Sequence, residues 1–451
     1  MRNKSGFLLS LIVTFLEFIL LNSFDLTGDY ALKYSLLLLF NIVYQTILIK
    51  KTLGLCTFTY LFVVFLYLFH FGEIIMLGFF PWYEYDYVDY FSTYMLREPE
   101  TAKRTLDLCI NATNFFVTGA LFYKKRVSYL VMHEGLNVQT IAKFIFYPLF
   151  AVRVLLDALQ IFVAYTLGYH GTFTTGIGGV FSALAMMAYG AIPLYYLSIE
   201  DRQAKKRFLV FIVCYLMCTM LTGNRGHQVT CLLGLFIIYI TQNPVTIKQT
   251  VLYMIVAILG LQFLDVIIAM RGYGIAYFFD HFSEFTEMTL QTNILLETIG
   301  TFGETIFTPF LVLQEYDRLQ PFFGETFVKS FASIIPDVFG GLKDINNEAV
   351  LGRALNTDFT IGGSLLGEMY YNFGEFYPIP TMLVGYIYAK MSDKVRYFVS
   401  NNRIIEVIFV LPVCVILIWW VRDSIGNMTR QIVWFAILAT IGIKMFKRNT
   451  L

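Results

Sequence analysis

Charged side chains are scarce in this sequence. Asp, Glu, Lys and Arg make up 14% of its 451 residues, whereas hydrophobic residues make up 57%. A soluble globular domain is about one-quarter charged, so the composition argues against a soluble protein. The formal net charge of +1 carries no information about nucleic acid, and we expect no nucleic-acid partner.

Cysteine is scarce as well, and several cofactor motifs are missing. All six cysteines fall inside apolar segments, without the spacing of disulfides or metal ligands. We interpret them as small core residues. The sequence contains no Walker loop, GxGxxG, GxSxG or zinc motif, which argues against an ATP-driven pump. It also shows no internal repeat, a weak argument against inverted-repeat transporters.

Long apolar runs, in contrast, recur along the whole chain. Because a helix needs roughly 20 apolar residues to cross the bilayer, we predict an all-α, polytopic integral membrane protein with about twelve transmembrane helices. The first run follows a basic start like that of a signal peptide, but its length indicates a retained helix. The predicted spans are 7–24, 31–49, 55–79, 105–123, 141–167, 177–198, 208–222, 228–241, 250–269, 365–389, 404–421 and 431–446.

The distribution of charge predicts the orientation of these spans. With the N-terminus inside, the inner loops hold more than half of the 33 basic residues, whereas the first outer loops are rich in carboxylates. The positive-inside rule therefore predicts that both termini are cytoplasmic. Residues 271–363 become one large extracytoplasmic loop of short helices between the membrane segments 1–270 and 364–451, which together form a single membrane domain.

Three arginines recur where predicted spans meet the outer face. Arg225 lies in TGNRGHQV after the seventh span, Arg271 ends the ninth, and Arg353 precedes the tenth. The planar guanidinium suits phosphate oxygens, so the three predict an anion site for a lipid phosphate or diphosphate. Alternatively, each arginine extends to lipid headgroups or pairs with a loop carboxylate. The glycines that flank Arg225 favour close approach of a ligand.

Other polar groups lie within or beside predicted spans. His227 follows Arg225 by two residues and is either an acid, base or hydrogen-bond donor or an ordinary interfacial residue. Arg153 and Asp157 are four residues apart in the fifth span. Their spacing indicates an intrahelical ion pair, and the alternative is a polar cavity wall near the substrate path.

The segment DFTIGGSLLGEMYYNFG, residues 358–374, combines small and polar residues. Ser364, Glu368 and Tyr371 fall on one helical face, with Asn372 close by. Such a stripe suggests hydrogen bonding to a polyol, or a general base. Alternatively, the small residues allow helices to pack closely, and Glu368 forms an ion pair with an arginine.

These features resemble the Wzy-type polymerases of bacterial O-antigen and capsular polysaccharide, and the related O-antigen ligases. The resemblance in topology covers nearly the whole chain, and the motifs cover residues 222–374. The matching segments are TGNRGHQV, AMRGYG (269–274), FFGETFVKSFASIIP (322–336) and GGSLLGEMYYNFG (362–374). The resemblance implies a fold like that of the O-antigen ligases and GT-C glycosyltransferases.

It also implies a glycosyltransferase of the bacterial cytoplasmic (inner) membrane. Such enzymes transfer a growing glycan from undecaprenyl diphosphate to a sugar hydroxyl on the next lipid-linked unit, in the outer leaflet. The expected partners are this lipid-linked glycan as donor and acceptor, membrane lipids, a flippase and a chain-length regulator. We hypothesise that Arg225 and Arg271 bind the leaving diphosphate and that Arg353 closes over the donor or acceptor. Glu368 or His227 would take the proton from the attacking sugar hydroxyl. The residues expected to contact the glycan are Ser364, Tyr370, Tyr371 and Asn372.

No cofactor is expected, and the transfer is expected to be independent of metal. Many membrane glycosyltransferases carry a carboxylate pair in an early outer loop, and Glu84 and Asp86 occupy such a loop here. The tyrosines around them favour a solvated interfacial loop instead. Two other functions remain open: an O-antigen ligase, and a transporter or flippase of the same lipid-linked sugar.

Overall fold

The computed structural model describes residues 2–83, 90–124, 138–171, 179–220, 226–243, 293–319, 323–332, 362–401 and 404–447, with a few single residues between them. All regular elements in these ranges are helical. The α-helices are α1 Arg2–Leu21, α2 Tyr30–Thr52, α3 Phe58–Phe79, α4 Tyr90–Thr93, α5 Pro99–Phe122, α6 Val138–Gly171, α7 Gly179–Ser198, α8 Arg202–Met220, α9 Gly226–Gln242, α10 Ile294–Gly303, α11 Phe307–Leu319, α12 Glu325–Ala332, α13 Leu365–Phe373, α14 Pro378–Ser400, α15 Ile404–Ile418 and α16 Ile425–Lys447. Short 3₁₀ turns cover Met95–Arg97, Glu304–Ile306, Gly374–Phe376 and Trp419–Arg422.

Six helices in the described part are long and apolar enough to cross a membrane. They are Tyr30–Thr52, Phe58–Phe79, Pro99–Phe122, Val138–Thr166, Val180–Ser198 and Ile425–Phe446. Three shorter apolar helices, Ser5–Leu21, Gly226–Gln242 and Val407–Arg422, coincide with further predicted spans. The chain is therefore a multi-pass, all-helical membrane protein in its described part. The predicted ninth span lies outside the described residues, and the total of about twelve spans stays a prediction.

The predicted tenth span is not one continuous helix. We expected a single helix over 365–389, but α13 ends at Phe373 and α14 begins at Pro378. Gly374 adopts a φ of +52°, a left-handed conformation that glycine tolerates and that stops a right-handed helix. The hydropathy of the segment does not reveal this break, because hydropathy does not record backbone conformation.

One compact unit consists of residues 1–129, 299–393 and 420–430. Within it, α1 packs on α5, α2 packs on α3, and α11 packs on both α5 and α13. The helices α10 to α12 belong to the segment 271–363, which we predicted as an outer loop of short helices. In α11 the side chains of Phe310, Leu311 and Val312 are buried, so this part of the segment contributes to the core of the unit.

Two glycines allow α5 and α14 to approach closely within this unit. A Cβ atom on Gly119 would lie 1.9 Å from the carbonyl oxygen of Met382, and one on Gly385 would lie 2.0 Å from that of Phe116. Membrane helices associate through such small residues because backbone contact replaces the hydrophobic driving force available in water. The two glycines therefore fix the distance between these helices.

The second compact unit consists of residues 130–298, 394–419 and 431–451. Within it, α6 packs along α7, and α7 also contacts α9 and α15. The predicted ion pair between Arg153 and Asp157 is confirmed, and their side chains are only 3% exposed. Tyr215 donates a further hydrogen bond to Asp157. Both charges are thus satisfied by protein groups at membrane depth, as the cost of an unpaired charge there requires.

The close crossing of α5 and α14 gives a stability prediction. Gly119→Ala should destabilise the protein by about 2 kcal/mol, because overpacking against backbone forces the helices apart. Thermal unfolding of the detergent-solubilised protein measures this effect. Gly6→Ala is the matched control, since its added Cβ would lie 3.6 Å from the nearest atom, Thr52 Cγ2. Equal stability of the two variants would contradict the role given to the crossing.

Candidate functional site

The first helix turn of α13 is held by a serine and a histidine. Ser364 caps the helix, and its hydroxyl oxygen accepts the N–H of Gly367 at 3.3 Å. The same oxygen lies 2.7 Å from His70 Nε2, while His70 Nδ1 lies 3.1 Å from the Leu66 carbonyl. A carbonyl only accepts, which assigns the ring proton to Nδ1 and makes Ser364 the donor to Nε2. His70 is fully buried and anchors α13 to α3.

Glu368 is a buried carboxylate with three hydrogen-bond donors. Its Oε1 accepts from the Thr326 hydroxyl at 2.7 Å. Its Oε2 accepts from the indole N–H of Trp420 at 2.7 Å and from the backbone N–H of Ile425 at 3.0 Å. The residue is 2% exposed, and its partners in the described part of the chain do not include an arginine. The carboxylate therefore joins α12, α13 and the start of α16.

Asn372, one turn further on, completes the attachment of α12 to α13. Its side-chain carbonyl accepts the backbone N–H of Thr326 at 2.7 Å. Its amide donates to the Thr326 hydroxyl and to the Glu368 carbonyl, both at 2.7 Å. The backbone carbonyl of Asn372 also accepts the N–H of Gly324 at 2.9 Å. Buried polar groups that are satisfied in this way specify one arrangement of the helices.

The two tyrosines of α13 have different surroundings. The Tyr371 hydroxyl donates to Glu325 Oε2 at 3.3 Å, and its side chain is 2% exposed. The Tyr370 hydroxyl accepts from Arg104 Nη2 at 2.6 Å and donates to Glu375 Oε1 at 3.1 Å. Both of these charged partners are exposed. Tyr370 thus links the buried part of α13 to the surface.

The residues predicted as one polar stripe therefore reach separate partners. Ser364 contacts α3, Glu368 contacts Thr326, Trp420 and Ile425, and Tyr371 contacts Glu325. The partners Thr326, Trp420 and Arg104 were not predicted from the sequence. For Thr326 a signal was available, because it lies in the segment FFGETFVKSFASIIP, which resembles the polymerase family. Nothing in the sequence pattern pointed to Trp420 or Arg104.

His227 lies in the first turn of α9, in the other unit. Its ring stacks on Tyr189, with centroids 5.7 Å apart and planes at 14°, and its centroid lies 5.2 Å from that of Trp419. A Cβ atom on Gly226 would lie 2.1 Å from the Trp419 ring, so this glycine permits the aromatic contact. Two aromatic neighbours thus fix the plane of the imidazole.

The three arginines of the predicted anion site lie outside the described residues. Arg225, Arg271 and Arg353 therefore keep the roles that the sequence predicts for them, as predictions. Glu84 and Asp86 also lie outside the described part. Among the described residues, no three histidine, cysteine, aspartate or glutamate side chains come together to share a metal ion.

The described helices are those of a multi-pass membrane protein. Its short helix α13, separated from α14 by a break, is held in place by buried polar side chains. A family model, "O-antigen polysaccharide polymerase Wzy", matches residues 7–450. The chain belongs to this family, and its general function is the polymerisation of O-antigen repeat units. No curated protein and no solved structure matches the chain.

The three donors to Glu368 lead to a prediction about stability. Glu368→Ala leaves three donors without their acceptor, two of them buried, and should destabilise the protein by about 3 kcal/mol. Glu368→Gln should cost far less, because its oxygen can accept from Trp420 and Ile425 while its amide donates to Thr326. Thermal unfolding in detergent compares the two variants. Equal destabilisation by Ala and Gln would mean that the negative charge, and not the hydrogen-bond geometry, holds the helices together.

Proposed function

We propose that this protein joins oligosaccharide repeat units linked to undecaprenyl diphosphate, on the outer face of the bacterial cytoplasmic membrane. The observation that carries the proposal is the match of the Wzy family model from residue 7 to residue 450. The positive-inside pattern supports the outer face, since it assigns both termini to the cytoplasm. The product is an O-antigen, a capsular polysaccharide or an exopolysaccharide.

The proposed reaction is a glycosyl transfer. The bond between the anomeric carbon of the growing glycan and its diphosphate oxygen breaks, and undecaprenyl diphosphate leaves with the electron pair. A hydroxyl oxygen of the acceptor sugar forms the new glycosidic bond and releases its proton to a base. Negative charge increases on the diphosphate as the bond breaks, so cationic donors placed beforehand would lower the barrier.

We assign the diphosphate contacts to Arg225 and Arg271, and the contact that closes over the substrate to Arg353. All three lie at the outer ends of predicted spans or in the predicted outer loop. An arginine binds two oxygens of one phosphate at the same time, which a lysine cannot do. This difference makes the assignment testable by exchange of one cation for the other.

Of the two candidate bases, Glu368 and His227, we propose that His227 takes the proton of the acceptor hydroxyl. Imidazole is a common general base in enzymes, and the plane of this ring is fixed by Tyr189 and Trp419. Glu368 is the other candidate, but both of its oxygens already accept hydrogen bonds, from Thr326, Trp420 and Ile425. We therefore assign to Glu368, with Ser364, Tyr371 and Asn372, the structural role of holding α13 to the helices around it.

The arginine assignment predicts a loss of polymer. Arg225→Ala and Arg271→Ala should abolish long glycan chains while the protein still accumulates in the membrane. Arg225→Lys should restore little activity if the guanidinium binds two phosphate oxygens. Chain length is measured by gel electrophoresis of extracted glycan. Arg97→Ala is the matched control, because Arg97 stacks on Tyr94 and has no proposed role. Normal chain length in both alanine variants would disprove the anion site.

The choice of base is tested by two substitutions. Glu368→Gln should retain turnover, since it keeps the geometry of the network, whereas His227→Gln should lose it. Initial rates with lipid-linked repeat units and purified protein measure both effects. If the Glu368→Gln variant folds but shows no turnover, Glu368 and not His227 is the base.

A deletion strain separates this function from its alternatives. Loss of a polymerase should leave single repeat units attached to the lipid carrier on the outer face. Loss of a ligase would instead leave long chains on the carrier, and loss of a flippase would leave single units on the inner face. Extraction of lipid-linked glycan, with labelling of each face, distinguishes the three outcomes.

A further inference from the structure

An arginine and a glutamate meet at the surface of the unit that contains α13. Arg104 lies near the start of α5, and Glu375 lies in the turn that follows α13. Arg104 Nη2 is 2.6 Å from Glu375 Oε1 and 2.6 Å from the Tyr370 hydroxyl. The Tyr370 hydroxyl in turn donates to Glu375 Oε1 at 3.1 Å. The buried tyrosine thereby fixes the two charged groups relative to each other.

Two aromatic rings stand beside this pair. The Arg104 guanidinium lies 5.6 Å from the Tyr370 ring centroid, and the Tyr316 ring centroid lies 5.0 Å from that of Tyr370 at an angle of 58°. Tyr370 is 4% exposed, whereas Tyr316 is only half-buried. Part of the Tyr316 ring is therefore accessible to a ligand, whereas the Tyr370 ring is buried.

The turn that carries Glu375 requires glycine. Gly374 has a φ of +52°, and a Cβ atom there would also lie 3.1 Å from the Tyr316 hydroxyl. The backbone thus passes close to Tyr316 before Glu375 reaches Arg104. We name Arg104, Tyr316, Tyr370 and Glu375 the Arg104 cluster.

Stability does not explain this arrangement. The side chains of Arg104 and Glu375 are 58% and 73% exposed, and ion pairs as exposed as this one contribute only about 0–1 kcal/mol. What the geometry does provide is a fixed donor next to a fixed acceptor, both reachable from solvent, with an aromatic ring at their side. Binding sites for small polar ligands combine these groups.

We propose that the Arg104 cluster binds a sugar ring of the glycan repeat unit. Adjacent hydroxyls of a sugar would donate to the Glu375 carboxylate and accept from the Arg104 guanidinium, while the C–H face of the ring lies against Tyr316. An anionic ligand is disfavoured, because Glu375 already neutralises Arg104 and would repel a phosphate. The charge pattern assigns the start of α5 to the outer face, where the substrate lies. This inference rests on the proposed polymerase function.

The experiment uses purified full-length protein and undecaprenyl-diphosphate-linked repeat units extracted from the deletion strain. Arg104→Gln, Glu375→Gln and Tyr316→Leu should each raise KM by about 10-fold, as expected when one ligand hydrogen bond or ring contact is lost. Their kcat should stay close to that of the original protein. Arg318→Gln is the matched control, because it removes an exposed arginine that pairs with Glu315 on the same helix as Tyr316. An unchanged KM in all three variants would overturn the proposal.

Binding of the lipid-free oligosaccharide, measured by saturation-transfer NMR, separates the site from the reaction. The original protein and Arg318→Gln should bind it, and the three cluster variants should bind it more weakly. If the original protein binds the oligosaccharide but does not lengthen lipid-linked units, the polymerase function fails and the sugar site stands. Equal binding by all variants would remove the sugar site whatever the turnover.

Discussion

One buried carboxylate organises the unit that contains α13. Glu368 accepts hydrogen bonds from Thr326, Trp420 and Ile425, and Thr326 lies far in sequence from the other two donors. In an apolar interior each donor without an acceptor is costly, so α12 and the segment from Trp420 to Ile425 are both held against α13. Asn372 adds a second attachment for α12, and His70 secures the beginning of α13 through Ser364.

Much of the helical architecture could be predicted from composition and hydropathy. The six long apolar helices coincide with predicted spans, because burial in lipid requires long apolar runs. The pairing of Arg153 with Asp157 could also be predicted, since it depends only on spacing within one helix. The break at Gly374 could not, because it depends on a backbone torsion at one residue, which hydropathy does not record.

The candidate site was predictable in its residues but not in its contacts. The stripe of Ser364, Glu368 and Tyr371 was visible at helical spacing, yet each of these side chains meets a different long-range partner. Such partners depend on tertiary packing, which no local pattern encodes. The same holds for His227. Its position beside Arg225 is visible in the sequence, but the rings that fix its plane, Tyr189 on α7 and Trp419 after α15, come from distant segments.

The crossing of α5 and α14 has a consequence for how this chain can evolve. The Cβ of a residue replacing Gly119 would meet a backbone carbonyl, and so would one replacing Gly385. A compensating change elsewhere can shrink a side chain, but it cannot shrink a peptide group. Neither position can therefore exchange its glycine for a larger residue through a paired substitution. Relatives that keep this crossing are expected to hold both glycines as separate, invariant positions and not as a covarying pair.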